Sequence, residues 1–152
     1  MKKKSRFLQT PVEPFAVESG LGADQILLRM ERISFQGRNP ATAHRVWQKM
    51  LQDDVTIFLG MAGALSAGGL RLIVAHLIAH RYVDCLVSTG ANLYHDLHET
   101  RGQCHYLGSP QADDAALAEE RIDRVYDTFV SEEEFIGNDN WIADFAATLE
   151  SR

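Results

Sequence analysis

Residues 56–99 read TIFLGMAGALSAGGLRLIVAHLIAHRYVDCLVSTGANLYHDLHE, and this stretch decides the predicted fold. Thr56 to Leu59 is a short, apolar run, typical of a strand buried on both faces of a parallel sheet. From Leu70 to His80, apolar residues recur at helical spacing, which predicts a helix with one face packed on the sheet. Tyr82 to Val87 is the second predicted strand, and a right-handed crossover makes it parallel to the first. The stretch therefore predicts a βαβ unit.

Two polar or glycine-rich turns follow the carboxyl ends of these strands. The first places Gly63, Gly68 and Gly69 among alanines, so the backbone can come close to a bound group. The second, Ser88 to Gly90, leads into a helix predicted over Asn92 to Glu99. In open α/β sheets ligands bind at this edge, where helix N-termini offer free N–H groups to phosphate. The glycines do not fit Gly-x-Gly-x-x-Gly, so the spacing alone is equally compatible with a dinucleotide or phosphate ligand and with tight helix–strand packing.

The segment before this unit is predicted to hold an arm and two helices. Residues 1–20 combine several lysines with prolines and a glycine, which indicates an extended arm, either solvated or docked on a neighbouring subunit. Gly22 to Ile33 has the apolar spacing of an amphipathic helix. A second helix is predicted to start with Asn39 as its cap and Pro40 at its first position.

The segment after the unit alternates between predicted loops, helices and a strand. Residues 105–110 (HYLGSP) are predicted to be a loop, and Asp113 and Asp114 to open a short helix. Residues 121–130 predict a turn that leads to a strand. Ser131, with a glutamate three residues later, predicts a capping box and a final helix.

Composition bounds the class of protein. The chain has 152 residues, enough for one domain, and a formal net charge of −6, which argues against nucleic acid as a main partner. The two cysteines, Cys85 and Cys104, do not form a disulfide framework, which favours a reducing cytoplasm. No apolar run reaches the roughly 18 residues of a membrane span. We therefore expect a soluble, cytoplasmic chain with neither nucleic acid nor membrane as a partner.

A cluster of metal-ligating residue types follows the second turn. His95 and His98 could share a helix face, and Cys104 with His105 could supply a second pair. The spacing matches no standard zinc signature, so we predict no metal site. Asp96 is open to several interpretations, since it could orient His95 or accept a hydrogen bond from a ligand, or it could form a surface ion pair or favour the helix N-terminus.

Four motifs together resemble the amino-terminal half of the deoxyhypusine synthase family, in particular its prokaryotic deoxyhypusine synthase-like branch. They are TIFLGMAGALSAGGLR from residue 56, HRYVDCLVSTGANLYHD from 80, HYLGSP from 105 and ADDAALAEERIDRVYDTFVSEEEF from 112. The likeness runs from about Phe35 to Phe145. It implies an α/β fold with a largely parallel, Rossmann-like sheet and helices on both faces, incomplete in this chain. Residues 21–152 would be the amino-terminal part of the NAD-binding domain.

The resemblance also implies site residues. The family's first NAD loop matches the turn at Gly63, Ala64, Leu65, Ser66 and Ala67, and its second matches Thr89, Gly90 and Ala91. Alanines at 64 and 67 replace an asparagine and a serine of eukaryotic members, so NAD would depend more on backbone amides.

The matching substrate positions are Tyr94 and His95, which stand where eukaryotic members have paired glutamates near the polyamine. A histidine at position 95 removes an anion that would hold a cationic polyamine.

The activity implied by the resemblance is NAD-dependent transfer of the aminobutyl group of spermidine to an amine. The acceptor would be a protein lysine, as in hypusine formation, or a free polyamine giving homospermidine. The family's catalytic lysine lies past Arg152, so we expect no catalytic residue in this chain, a fragment without activity of its own, and assembly as a homotetramer. The alternatives are a non-catalytic short paralogue that pairs with a full-length subunit and a truncated fragment.

Overall fold

A computed structural model describes residues 5–149, so Lys2 to Lys4 of the predicted arm lie outside the described residues. The chain divides into two compact units, Met1–Val55 and Thr56–Arg152. The predicted division between an arm of residues 1–20 and a domain of residues 21–152 stays a prediction. Within the described part of the chain, no helix has the length and apolar character needed to cross a membrane.

The first unit contains two helices, α1 (Ala23–Met30) and α2 (Arg38–Gln52), and a 3-10 turn, Phe35–Gly37, between them. The start predicted for α2 is wrong, because Gly37 is the N-cap and Asn39 lies inside the helix. The 3-10 turn runs directly into α2, so the helical conformation is already established at Arg38. Pro40 is tolerated in the first turn because N–H groups there have no partner within the helix.

The second unit begins with the predicted βαβ unit. Strand β1 (Phe58–Met61), helix α3 (Arg71–Ala79) and strand β2 (Cys85–Ser88) follow in order, with a wide helical turn, Ser66–Leu70, before α3. The strands pair in parallel, Phe58 with Cys85 and Met61 with Ser88. The parallel pairing is therefore confirmed, although both strands begin and end later than predicted.

The prediction that the first strand is buried on both faces is wrong. Phe58 is 66% exposed and Val87 is 58% exposed, whereas Met61 on the opposite face is buried. Side chains of α3 and of the following helix, α4 (Gly90–Thr100), line the same cavity as Met61 and Leu86. Within the described residues, the helices therefore cover one face of this two-stranded sheet.

The remaining strands form an antiparallel sheet, which corrects the prediction of a largely parallel one. Its strands are β3 (Tyr106–Leu107), β4 (Ile122–Val125) and β5 (Thr128–Ser131), in the order β3-β5-β4. The predicted loop at residues 105–110 thus contains a strand. The β4–β5 hairpin turns at Tyr126, whose φ is 58°, a conformation usually marked by glycine or asparagine. The mixed α/β class is confirmed, and the incomplete Rossmann-like sheet stays a prediction.

Two further helices complete this unit. Helix α5 (Asp114–Glu119) starts at Asp113, whose carboxylate accepts a hydrogen bond from Ala115 N at 2.9 Å. Helix α6 (Glu132–Ala147) starts at Ser131, whose hydroxyl accepts from Glu134 N at 3.4 Å. Both predicted N-caps are confirmed, because their side chains satisfy N–H groups that have no partner within the helix. In the part of the chain that the structure describes, the return bond of the predicted capping box, from the Glu134 side chain to Ser131 N–H, is not formed.

Candidate functional site

The two turns after β1 and β2 are held together by Asn92. Its side-chain oxygen accepts from Ser66 N at 3.3 Å, and its amide nitrogen donates to Thr89 Oγ1 at 3.1 Å and to Met61 O at 3.5 Å. Its backbone oxygen accepts from Ser66 Oγ at 2.7 Å. Because Asn92 is only 3% exposed, these polar atoms depend on one another for partners. The turns therefore form one bonded unit around this side chain.

Thr89 occupies the N-cap position of α4 but does not cap the helix. Its hydroxyl instead donates to Gly63 O across the two turns, at 2.7 Å. The first N–H groups of α4 therefore have no side-chain acceptor from the cap residue, and they point out of a helix of 11 residues. Such an end attracts anions through its N–H groups and the helix dipole.

Space is available beside this helix end. A Cβ built on Gly63 or on Gly90 would meet nothing within 4 Å, and Gly63 has a φ of +66°. A cavity of about 180 Å³ lies next to the turns. Its lining includes Met61, Ser66, Val74, Leu86, Ser88 and Asn92.

The residues predicted to contact a cofactor fall into two groups. Five of them are exposed or half-buried: Gly63, Ala64, Leu65, Gly90 and Ala91. Ser66 and Ala67 are buried, and the N–H and hydroxyl groups of Ser66 both donate to Asn92. Thr89 is exposed but its hydroxyl already bonds within the protein. The exposed group can reach a ligand directly, and the bonded group holds the turns in shape.

Tyr94, a predicted substrate residue, is bound to helix α6. Its hydroxyl donates to Phe135 O at 3.0 Å and lies 2.9 Å from Asp139 Oδ1. Burial and the neighbouring Asp139 carboxylate raise the pKa of this phenol to about 12. Tyr94 is therefore a neutral donor that joins α4 to α6.

A second connection to α6 runs from the exposed Arg101, at the end of α4, to the buried pair Asn138 and His98. Arg101 donates to Asn138 Oδ1 at 2.8 Å, which fixes the orientation of that amide. Asn138 Nδ2 then donates to His98 Nδ1 at 3.0 Å, so that this ring nitrogen must be unprotonated. Both His98 and Asn138 are 0% exposed.

The other ring nitrogen of His98 faces two acceptors. Nε2 lies 3.3 Å from Cys104 O and 3.3 Å from Glu134 Oε2. The contact with the carbonyl has the geometry of a hydrogen bond, whereas among the described residues the carboxylate oxygen is buried without one. Burial and the nearby His105 ring lower the pKa of His98, which keeps the ring neutral as its two hydrogen bonds require.

His95, the other predicted substrate residue, belongs to a chain of hydrogen bonds on the same helix. Its Nδ1 lies 2.9 Å from His105 Nε2, and His105 Nδ1 lies 2.9 Å from Glu99 Oε1. The other oxygen of Glu99 lies 3.6 Å from Arg71 Nε. Arg71 also donates to Asp96 at 2.8 Å, so Asp96 is an ion-pair partner of α3.

The four residues singled out in the sequence as possible metal ligands make contacts within the protein. The rings of His95, His98 and His105 pack together, and Cys104 contributes its carbonyl oxygen. In residues 5–149, no group of three or more His, Cys, Asp and Glu side chains is arranged to hold a metal ion.

Three residues on which this site depends were not predicted from the sequence: Asn92, Arg71 and Asn138. Asn92 carries one available signal, since it stands three residues after Thr89, where a side chain can reach back to the start of its helix. Arg71 and Asn138 carry none, because their partners lie 25 to 40 positions away in the chain.

The buried histidines predict that stability depends on pH. The pKa values of His95 and His98 are both lowered by burial, so the unfolded chain binds more protons than the folded one just below pH 6.5. The free energy of unfolding should therefore be constant above about pH 7.5 and fall as pH drops through 6.5. Urea denaturation of the wild type and of His98→Gln between pH 5 and 8 measures this, and an equal slope in both would contradict it.

Comparison with known proteins shows which family this chain resembles. Residues 25–152 match the family model described as deoxyhypusine synthase. A probable deoxyhypusine synthase 2 of Methanosarcina mazei is 45% identical over 144 residues, which are 94% of this chain and 41% of the relative.

Two other curated relatives agree. A probable deoxyhypusine synthase 2 of Archaeoglobus fulgidus is 45% identical over 121 residues, which are 79% of this chain and 41% of the relative. A deoxyhypusine synthase-like protein of Coxiella burnetii is 38% identical over 151 residues, 98% of this chain and 43% of the relative. The chain thus spans less than half the length of these relatives.

Proposed function

Because this chain belongs to the deoxyhypusine synthase family, we propose that its two turns hold NAD in an enzyme that transfers the aminobutyl group of spermidine to an amine. The proposed NAD contacts are the exposed residues Gly63, Ala64, Leu65, Gly90 and Ala91, supported from behind by Ser66, Ala67 and Thr89. The acceptor is a protein lysine or a free polyamine. The assembly is a cytoplasmic homotetramer, and Tyr94 and His95 lie near the polyamine.

One observation carries the cofactor proposal. Asn92 and Thr89 fasten the two turns to each other, and Thr89 in doing so leaves the N-terminus of α4 uncapped. A rigid pair of turns with free N–H groups fits a diphosphate, since the helix end supplies partial positive charge and aligned donors. The open space at Gly63 and Gly90 allows the backbone itself to approach such a group.

Bound NAD would supply a hydride acceptor for oxidation of an amine carbon. This chain's own part is to bind and orient: backbone N–H groups of Gly90 and Ala91 would hold the anionic portion. Because the turns are already fixed, binding would not lose the conformational entropy of ordering them. We propose that this chain alone has no transferase turnover.

Ala91→Glu tests the cofactor proposal. A carboxylate in the first turn of α4 would repel an anion there, while the same charge favours the helix. We expect NAD affinity to fall at least about tenfold in a calorimetric titration, with an unchanged or higher melting temperature.

Ala115→Glu is the matched control, because it places the same side chain in the exposed first turn of α5. It should leave NAD affinity unchanged. A wild-type chain that does not bind NAD, or an Ala91→Glu chain that binds it equally well, would overturn the proposal. If NAD binds but a full-length family member that carries this segment shows no transferase turnover, the chain is instead a non-catalytic partner.

A further inference from the structure

A chain of four side chains, half-buried at Arg71 and Glu99 and buried at His105 and His95, ends at one ring nitrogen of His95. Arg71 lies beside Glu99, Glu99 beside His105, and His105 beside His95, with 2.9 Å between the atoms of each of the last two pairs. The His105 side chain is 4% exposed and His95 is 7% exposed, so water competes little for these bonds. In residues 5–149, the Nε2 of His95 has no hydrogen-bond partner and is not among the buried atoms that lack one.

The hydrogen bonds determine where the protons lie. Glu99, beside the guanidinium of Arg71, is an ionised carboxylate and can only accept, so His105 Nδ1 must carry a proton. When the His105 ring is neutral, its lone pair lies on Nε2, and His95 Nδ1 must donate to it. Neutral His95 is thereby left with an unprotonated Nε2, the one polar atom of the ring that is free to meet a ligand.

We propose that Glu99, acting through His105, holds His95 in the tautomer whose Nε2 accepts a hydrogen bond from an alkylammonium group of the substrate. The proposal rests on the proposed function, in which that group belongs to a polyamine, and it assigns Glu99 and His105 as positioning residues. The bond forms between an ammonium N–H and the imidazole lone pair, without transfer of a proton.

The surroundings of His95 suit a cation that is held by a neutral acceptor. On α4 it faces Tyr94, His98 and Glu99, and from the segment after α4 it faces His105. Helix α6 presents the ring of Phe135, with centroids 5.6 Å from His95 and 5.2 Å from Tyr94. Aromatic faces attract ammonium groups.

The charged groups near His95 also favour binding of a cation. On the side of α6, the Glu134 carboxylate contacts His98 and the Asp139 carboxylate contacts Tyr94. Each carboxylate is therefore separated from His95 by one intervening side chain. Burial and the neighbouring imidazoles lower the pKa of His95, so its lone pair persists below pH 6.5. Protonation would remove the acceptor and add a repelling charge, so ammonium binding should weaken as the pH falls.

The test is nitrogen-15 NMR of the imidazole rings in this chain at pH 7.5, with spermidine as the probe. We expect Nδ1 of His95 and of His105 to be protonated, and His95 Nε2 to show the shift of an unprotonated nitrogen that moves on addition of spermidine. Glu99→Gln, whose amide can donate or accept, should give a mixture of tautomers at both rings. It should also weaken spermidine binding by about tenfold.

Glu119→Gln is the control, because it neutralises an exposed carboxylate on α5. A protonated His95 Nε2, or tautomers that are unchanged in Glu99→Gln, would overturn the positioning role. An unprotonated Nε2 that spermidine does not shift would overturn the assignment of the ligand. These results are independent of the NAD titrations, so failure of the cofactor proposal is recognised separately.

Discussion

Replacing Asn92 by alanine is expected to destabilise the protein by about 2–4 kcal/mol and to weaken NAD binding more than any exposed substitution in the turns. The substitution removes the side-chain oxygen that accepts from Ser66 N–H and the amide nitrogen that donates to Thr89 Oγ1 and Met61 O. Because this site is buried, Ser66 N–H would lose its partner without gaining water. Urea denaturation and calorimetric NAD titration measure the two effects.

Asn92→Asp sharpens this prediction. The carboxylate is nearly the same size and still accepts from Ser66 N–H, but it cannot donate to Thr89 or Met61. It also places a negative charge where the cofactor is proposed to be anionic. We therefore expect the aspartate to recover some stability relative to alanine but no NAD affinity. Asn39→Ala, at an exposed position of α2, is the control. Full NAD affinity in Asn92→Asp would refute a role for the donor.

Asn138→Ala is expected to lower the free energy of unfolding by about 2–4 kcal/mol. The side chain is 0% exposed and lies between Arg101 and His98, so its loss leaves a buried ring nitrogen without a donor and removes one of the two acceptors of the Arg101 guanidinium. The neighbouring Tyr94 connection remains, so α4 and α6 should stay together in a weaker form. Chemical denaturation monitored by circular dichroism measures the loss.

The matched control is Asn140→Ala, two residues away and exposed on the same helix, with an expected change below about 0.5 kcal/mol. A double-mutant cycle between Asn138 and His98 should show a coupling of at least about 1 kcal/mol. Equal destabilisation by the two asparagine substitutions would mean that the buried bond contributes nothing specific.

The elements that could be predicted from the sequence are those set by local patterns. The apolar period of α3, the serine and aspartate caps of α6 and α5, and each of the two short strands around the crossover are readable within about 15 residues. The hairpin between β4 and β5 was not readable in this way, because Tyr126 adopts a positive φ without a glycine or asparagine to mark it. Residues 106–107 are too short a strand for any periodic signal.

The sequence by itself determined the family, the βαβ unit and the two turns at its carboxyl edge, because glycines, caps and apolar spacing act over a few residues. Only the tertiary structure decided what the polar residues with distant partners do. Asn92, Arg71 and Asn138 acquire their roles from partners 25 to 40 positions away, and His95 is connected to Glu99 through the ring of His105. The physical reason is that a buried polar group is defined by the partner that satisfies it, and that partner is chosen by the packing of whole elements.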